Sequence, residues 1–381
     1  MSAIKKFFFL SLVILVLSLL FWGVYNLSFK KNESKTTDND AKKEDPVSTP
    51  ADKKIAPKIL PISDEAVFSP VITEKENTIK YYSKNTGQVF EIDFDGKNKK
   101  SLSTTELPGL SGVAWSPDQT KVITRFDRLE ETSFFFYDYA QNKGVALKKN
   151  LDETVWQNSG NKIFYKYYDP KTKERTLNIS DPDGTNWQKL TDLSHKNIAI
   201  VQVPKTGLVS FWNRPDAFSE TLFETIPTIG GEKKTIFQGK FGADYLWNSS
   251  GNNVLVSHSD QKEGQKIQLA VMNYNGGEFR NLLAPTMVSK CAWSKNNKFV
   301  YCAVPGNIPD NAIMPKDYLE NKFTTIDTFW RINTETAEQA RILEKDQLTD
   351  QVDATNLFLN EDESSLFFIN RKDGKLYRLD M

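Results

Sequence analysis

The amino-acid sequence predicts an all-β fold, a seven-bladed β-propeller, preceded by one N-terminal transmembrane helix. Three observations lead to this prediction: a long uncharged segment near the N-terminus, a strand-and-turn phrase that recurs along the rest of the chain, and hairpin turns within each recurrence. The composition agrees with it, because 25 Phe, 13 Tyr and 8 Trp suit pleated, half-buried strands.

The first predicted element is a membrane anchor within residues 1–29. Two lysines precede an uncharged run of 23 residues from Phe7 to Phe29. A helix rising about 1.5 Å per residue would cross the roughly 30 Å of bilayer hydrocarbon with this length. Trp22 and Tyr25 lie near its far end, where amphipathic rings favour the membrane interface. A cleaved signal peptide is the alternative, but the apolar core is long and no small-x-small cleavage site follows it.

Residues 30–55 are predicted to form a disordered, charged linker. They show no apolar period and end in a segment with Pro46 and Pro50, so nothing in them offsets the entropy of ordering. The orientation of the anchor is a separate question. Lysines lie on both sides of the apolar run, so the positive-inside rule does not decide which side faces the cytoplasm. We expect a single-pass protein of the cell membrane whose C-terminal domain, residues 56–381, lies outside the cytoplasm, because an N-terminal anchor followed by a large domain usually exports that domain.

A recurring phrase organises residues 56–381. In its clearest copy an apolar strand ends on Trp115, a Ser-Pro-Asp turn follows, and a second apolar strand begins at Val122. Intervals of 41 to 47 residues, and a last one of 66, separate the seven positions in the Trp slot: Ile72, Trp115, Trp156, Val203, Trp247, Trp293 and Leu359. Periods in the forties filled with strands and turns are typical of propeller blades. Packing between blades is therefore the favoured role of the four Trp side chains, over an aromatic binding surface.

Hairpin turns supply the outer strands of each period. Asp95-Gly96, Asp183-Gly184 and Asn275-Gly276 lie between apolar runs, and such pairs tolerate the positive φ of tight turns. The last repeat lacks its outermost strand, whereas residues 57–62, directly after the linker, look like one. We predict that this closing strand, at about 57–62, pairs onto the last blade and closes the ring.

These repeats resemble those of TolB-like, WD-repeat-like propellers, which are related to the propellers of the prolyl oligopeptidase and dipeptidyl peptidase IV families. The resemblance covers about residues 57–381 and rests on Trp115-Ser116-Pro117-Asp118 and on Asp181-Pro182-Asp183-Gly184 with Leu190-Thr191. It implies a fold but no single activity, because propellers host many unrelated functions. The hydrolase domain of the peptidases has no counterpart here, since the chain contains no Gly-x-Ser-x-Gly motif.

Composition argues against several classes of function. Lysine plus arginine equals aspartate plus glutamate, at 49 each, whereas nucleic-acid binding needs a cationic surplus. Only two His and two Cys are present, which limits metal sites and nucleophile–base pairs. The acidic turns lack the bidentate Glu of a calcium loop. We expect no catalytic residue, no metal, no cofactor and a monomeric protein.

The two cysteines, Cys291 and Cys302, flank one predicted hairpin. If Trp293 pairs with Val300, the cysteines face each other near disulfide distance, and an exported domain meets an oxidising environment. Two buried free thiols are the alternative, and the sequence leaves both open.

A long connection between two predicted strands, residues 305–327, is the candidate binding loop. Three prolines stiffen it, and it has apolar side chains at Ile308, Met314, Tyr318 and Phe323. Connections of this length are uncommon in compact domains and are often functional. The alternative is an insertion that packs over one face of the ring.

Three functions stay open at this point. The first is a non-catalytic scaffold or receptor that binds a protein, peptide or glycan partner through a ring face. The second is a propeller enzyme that acts on glycans with two carboxylates at the ring axis, for which a separation of about 5 to 9.5 Å is expected. The third is an assembly factor in a membrane-protein complex. The sequence favours binding, because it offers no catalytic set.

Overall fold

Antiparallel strands account for nearly all of the secondary structure in a computed structural model of the chain. The structure describes residues 59–73, 77–128, 131–343 and 351–381, and all of them belong to one compact unit. The predicted anchor, residues 1–29, and linker, residues 30–55, lie outside the described residues. Within the described ranges, no helix has the length and apolar character needed to cross a bilayer.

The strands are short and follow each other closely. Those before residue 200 begin with β1 (Ile59–Ile72), β2 (Thr78–Ser83), β3 (Val89–Asp93), β4 (Lys100–Ser101), β5 (Leu110–Trp115), β6 (Lys121–Arg128), β7 (Glu131–Asp138), β8 (Lys143–Ala146), β9 (Leu151–Trp156), β10 (Ile163–Tyr168), β11 (Arg175–Ser180), β12 (Gln188–Asp192) and β13 (Ile198–Gln202). The others are β14 (Leu208–Asn213), β15 (Glu220–Pro227), β16 (Lys234–Trp247), β17 (Asn253–Ser259), β18 (Gln268–Asn273), β19 (Arg280–Asn281), β20 (Cys291–Trp293), β21 (Phe299–Pro305), β22 (Asp327–Asn333), β23 (Gln339–Arg341), β24 (Ala354–Leu359), β25 (Ser365–Asn370) and β26 (Lys375–Asp380). The described helices are a 3₁₀ turn (Val288–Lys290) and α1 (Lys316–Leu319).

Among the described residues, the strand pairing forms seven four-stranded antiparallel units. Units 2, 3 and 6 are the separate sheets β5–β8, β9–β12 and β20–β23. Two long strands each take part in two units, which joins the remaining units into two seven-stranded sheets. The second half of β1 starts unit 1 (β1–β4), and its first half ends unit 7 (β24–β26 and β1). In the same way β16 ends unit 4 (β13–β16) and starts unit 5 (β16–β19).

The start of β1 pairs with the last strand of the chain. Ile59, Leu60 and Pro61 lie opposite Leu379, Arg378 and Tyr377. This is the place that the sequence analysis assigns to the closing strand, residues 57–62, of which 57 and 58 lie outside the described residues. Backbone hydrogen bonds therefore link the two ends of the described domain.

Seven apolar clusters join consecutive units. One of them packs Tyr82 and Val89 of unit 1 against Val122 of unit 2, and equivalent clusters connect each later pair. The seventh packs Phe367 of unit 7 against Ile79 of unit 1. Because burying one large apolar side chain contributes roughly 1.5 to 3 kcal/mol, these clusters supply most of the cohesion between units.

The tryptophans of the repeat lie in these contacts. The indole Nε1 of Trp115 donates to the carbonyl oxygen of Ser69 at 3.0 Å, and Trp156 donates to that of Ala114 at 2.8 Å. Trp293 makes the same bond to Leu246 at 3.0 Å. Each ring thus packs on the preceding unit and satisfies its single donor there, as expected for a buried indole.

The turn after the Trp slot is held by side-chain hydrogen bonds and by a glycine at a close contact. The Ser116 hydroxyl donates to Asp118 at 2.6 Å and accepts from the Lys121 amide at 2.9 Å. In the copy after Trp247, Gly251 has a φ of +73°, and a Cβ there would lie 2.2 Å from the carbonyl oxygen of Pro204. Only glycine allows the neighbouring units to approach this closely. The predicted all-β fold is confirmed.

Candidate functional site

A cavity of about 280 Å³ lies among the first strands of units 3 to 6. We term it the inner cavity. Its polar lining residues come from β9, the end of β14, β16 and the 3₁₀ turn before β20: Glu153, Trp212, Arg214, Asp244, Tyr245 and Ser289. These elements therefore bring together two carboxylates, a guanidinium and an indole that are far apart in the sequence.

The two carboxylates of the inner cavity have different partners. Glu153 forms an ion pair with Arg214. Asp244 instead accepts a hydrogen bond of 2.9 Å from the indole Nε1 of Trp212. Burial raises the pKa of Asp244 above its ordinary value, against the opposing effects of the Trp212 donor and the Arg214 charge. The cavity therefore holds one ion-paired carboxylate and one whose protonated form is favoured by burial.

A groove of about 350 Å³ adjoins the inner cavity and shares Arg214 with it. We term it the entry groove. Its other charged or polar lining residues include His195, Lys196, Asn213, Asp216, Lys316 and Glu320. Lys316 and Glu320, both from the connection between β21 and β22, form an ion pair at 2.7 Å. The Asp216 carboxylate accepts a 2.9 Å hydrogen bond from the Ser219 hydroxyl, so the groove presents both signs of charge.

A buried ionic network holds the neighbouring part of the domain. The Lys290 ammonium lies 2.6 Å from Asp327 and 2.7 Å from Asp353, and all three side chains have zero exposure. It also donates to the Thr325 hydroxyl at 3.0 Å and to the Ala354 carbonyl at 2.9 Å. This multiple pairing offsets the cost of removing three charges from water, which a single ion pair rarely does.

The long connection is attached to this network through Tyr318. Its hydroxyl donates to Asp353 at 2.6 Å, and the Arg371 guanidinium lies 3.8 Å from its ring centroid. Burial raises the pKa of Tyr318, and the Asp353 charge adds to that effect. Burial also raises the pKa of Asp327. For Asp353 burial acts in the same direction, but the charge and hydrogen bond of Lys290 hold its pKa below the ordinary value.

The structure places the four residues of the candidate binding loop mainly inside the domain. Met314 is fully buried and Tyr318 is 2 % exposed, in a cluster with Ile267 and Met287. Ile308 and Phe323 are partly buried against the same cluster. The side chains of Met314 and Tyr318 therefore anchor the connection to the domain, and contact of this loop with a ligand stays a prediction. Its polar residues Lys316 and Glu320 face the entry groove instead.

The two cysteines lie opposite each other on β20 and β21. The register pairs Cys291 with Cys302 and Trp293 with Val300, which is the register that the sequence analysis assumed. The Cα atoms are 4.1 Å apart and the sulfur atoms form a disulfide bond. The bond lies in the apolar cluster between units 5 and 6, so it links two strands within a buried interface.

The two histidines occupy separate places. His195 lines the entry groove, and its Nδ1 lies 3.0 Å from the Ser194 hydroxyl. His258 is 1 % exposed, and its Nδ1 lies 3.4 Å from Asp260. Burial, assisted by the Lys240 charge, lowers the pKa of His258. Among the described residues, no three His, Cys, Asp or Glu side chains come together as ligands for a metal ion.

Sequence reasoning missed Arg214, Asp244 and the Lys290 network. One signal for the network was present, since Lys290 and Asp353 each directly precede the first strand of a unit, before Cys291 and Ala354. Equivalent positions in adjacent repeats lie close together in a propeller, so opposite charges there predict contact. Arg214 had no such signal, because its partners come from other units at unrelated positions of the repeat.

No protein-family model matches the chain, and no curated protein matches it. Solved structures do match. The oligogalacturonate lyase of Vibrio parahaemolyticus is 10 % identical with a TM-score of 0.59, covering 84 % of this chain and 93 % of that one. Prolyl oligopeptidase B of Galerina marginata is 10 % identical with a TM-score of 0.56, covering 79 % and 46 %. The β-propeller domain of the trilobed protease of Pyrococcus furiosus is 10 % identical with a TM-score of 0.52, covering 83 % and 93 %.

Other similar chains are longer than the matched region. The match spans 60 % of the TolB of Acinetobacter baumannii and 34 % of the tricorn protease. At such low identities a structural likeness shows a fold and not an activity. The likeness to the propellers of the lyase, the trilobed protease and prolyl oligopeptidase B agrees with the repeat found in the sequence. The described part of this chain therefore has a β-propeller fold.

Proposed function

We propose that this chain is a non-catalytic, membrane-tethered propeller that binds a protein, peptide or glycan partner outside the cytoplasm. The observation that carries the proposal is the inner cavity with its adjoining entry groove. Together they place charged groups of both signs on one surface, and several of those groups already hold a partner, as in the Glu153–Arg214 and Lys316–Glu320 pairs. Such pre-arranged polar groups favour specific recognition of a complementary surface.

The proposal includes one closed ring of seven blades. The sharing of β1 between units 1 and 7 and the seven apolar clusters between consecutive units support it. A closed ring leaves no open edge between its first and last blades. It also gives the inner cavity a rigid support, which a binding site requires for precise geometry.

The proposed location rests on two features. The Cys291–Cys302 disulfide is typical of a compartment more oxidising than the cytosol. The uncharged run from Phe7 to Phe29 has the length of a membrane-spanning helix. We propose a single-pass membrane protein, monomeric, with its propeller outside the cytoplasm and no nucleic-acid partner.

Site-directed photo-crosslinking in intact cells tests this function. A benzophenone amino acid replaces Lys196, in the entry groove, in the full chain. The control position is Lys205, which follows the other end of β13. We expect a covalent adduct of defined mass at position 196 only, and its loss in an Arg214→Gln variant. Equal adducts at both positions, or no adduct at position 196, would contradict the proposal. A stoichiometric adduct with a membrane protein would indicate that the chain is an assembly factor in a membrane-protein complex.

A second candidate function is cleavage of a glycan. It is favoured by the presence of Glu153 and Asp244 in one cavity, with burial raising the pKa of Asp244, since paired carboxylates in different environments are typical of glycan-cleaving sites. The fold likeness to oligogalacturonate lyase suggests the substrate to try. Shortening of oligogalacturonate by the full chain, measured by mass spectrometry and abolished in Asp244→Asn, would replace the binding role with this one.

A further inference from the structure

A second, larger cavity of about 920 Å³ opens between units 1 and 2. We term it the side cleft; it shares no lining residue with the inner cavity. It lies beside the outer strand of unit 1, β4, which is two residues long. The residues that follow β4 line one wall of the cleft, and the sheet face of unit 2 lines the other.

The wall formed by unit 2 is aromatic. Alternate residues of a strand share a face; Phe135 and Tyr137 on β7 line the cleft, as does Tyr139, which directly follows the strand. Phe135 and Tyr139 are 39 % and 37 % exposed. Phe126 of β6 meets Phe135 edge to face, with ring centroids 5.5 Å apart. An exposed row of rings inside a concave surface is the usual form of a site for an apolar ligand.

The polar side chains that line the side cleft are hydroxyls, with one charged residue at one end. Arg128, at the end of β6, is the charged residue among those that line it. The opposite wall carries small hydroxyl side chains: Ser101, Ser103, Thr104 and Thr105. No Asp, Glu, Asn or Gln is among the described lining residues. The cleft therefore combines a row of aromatic rings with a single cation, a lining that suits an apolar body with one anionic end.

The length of the cleft also limits the ligand. From Ser133 to Tyr139 the aromatic wall extends about 20 Å, at roughly 3.4 Å per residue. The acyl chains of one leaflet fill about half of the roughly 30 Å hydrocarbon core of a bilayer, so one such chain fits along the wall. A carboxylate at its end matches the planar, charged fork of an arginine.

We propose that the side cleft binds an elongated apolar molecule with one anionic end group, of the class of long-chain carboxylates. The acyl body lies along β7 against Phe135 and Tyr139, and the carboxylate pairs with Arg128. This site is separate from the one at the inner cavity and does not depend on the function proposed there.

Photolabelling tests the site. The full chain in membranes is irradiated with hexadecanoic acid that carries a diazirine in the middle of its chain, and labelled peptides are mapped by mass spectrometry. We expect label within residues 101–108 and 122–146, displaced by hexadecanoate and not by hexadecanol. Arg128→Gln and Phe135→Ala are each expected to lower this label about tenfold, as for loss of one charge-assisted pair or one anchoring ring.

Two matched variants control for general effects. Phe218 is 40 % exposed in unit 4, and Arg331 lies on β22 of unit 6; Phe218→Ala and Arg331→Gln are expected to label like the parent. Equal displacement by hexadecanol would overturn the role of Arg128. Label confined to residues outside the cleft, or displacement by an extended apolar peptide and not by hexadecanoate, would overturn the proposal.

Discussion

Lys290 is a fully buried side chain that forms two ion pairs and two further hydrogen bonds. It is a fully buried ammonium between Asp327 and Asp353, and each carboxylate also accepts a backbone amide, from Ala354 and Thr325 respectively. Replacement of one member of such a group leaves the other buried charges without a partner. The resulting loss of stability is larger than the stability that the intact group provides relative to apolar residues in its place. The network therefore fixes how units 6 and 7 meet.

The Lys290→Met variant tests this interpretation. We expect the free energy of unfolding of the full chain to fall by about 3 to 5 kcal/mol, because two buried carboxylates lose their cation. Lys316→Met is the matched control, since the Lys316–Glu320 pair is solvent-exposed and worth less than about 1 kcal/mol. Guanidinium unfolding in detergent solution measures both.

A triple variant separates the charge effect from a packing effect. Adding Asp327→Leu and Asp353→Leu to Lys290→Met removes the uncompensated carboxylates, so much of the lost stability is expected to return. If Lys290→Met is no more destabilising than Lys316→Met, the network does not hold the two units together.

At the scale of single elements, β1 has the most unusual role. One continuous strand pairs with β26 through its first residues and with β2 through its last. It also contributes Ile59 to the cluster of units 6 and 7 and Val67 to that of units 7 and 1. Loss of its start would expose an edge of unit 7 and part of a buried interface at once.

Deletion of residues 56–62 tests the role of the closing strand. We expect this deletion to lower the unfolding midpoint in guanidinium far more than deletion of residues 31–54, because the first removes ladder hydrogen bonds and buried apolar area while the second removes charged, low-hydrophobicity chain. Circular dichroism during guanidinium unfolding measures the midpoint of both deletion variants. Equal stability of the two variants would contradict the predicted closure.

The connection between β21 and β22 shows why the candidate binding loop was only partly predictable. Its length and its apolar residues were visible in the sequence, but their direction was not. Met314 and Tyr318 turn inward because Ile267 and Met287, from unit 5 and its boundary with unit 6, leave an apolar surface beneath them. Such a surface exists only after the units have assembled.

At the scale of the whole molecule, the two proposed sites lie in different parts of the propeller. The inner cavity forms where first strands of several units meet. The side cleft forms where one unit fails to cover the face of the next. The first site thus takes its lining from four units, whereas the second takes its lining from two neighbouring ones.

Protease accessibility of a C-terminal tag in intact cells tests the proposed location. We expect external protease to remove the tag while cytoplasmic marker proteins survive, because the propeller is proposed to lie outside the cytoplasm. Protection that ends when an outer membrane is permeabilised would place the propeller in a periplasm. Protection until the inner membrane is lysed would contradict the proposed orientation and make a stable disulfide unexpected.

The sequence by itself determined the fold class and the period of the units, and it placed the two cysteines on one hairpin. These depend on local patterns, namely alternation along strands, turn residues and the spacing of the Trp slot, and neighbouring residues alone decide them. Only the tertiary structure decided that Arg214, Glu153 and Asp244 share a cavity, that Lys290 joins two units, and that Tyr318 turns inward. Those arrangements depend on distances between residues from different units, which no local pattern encodes.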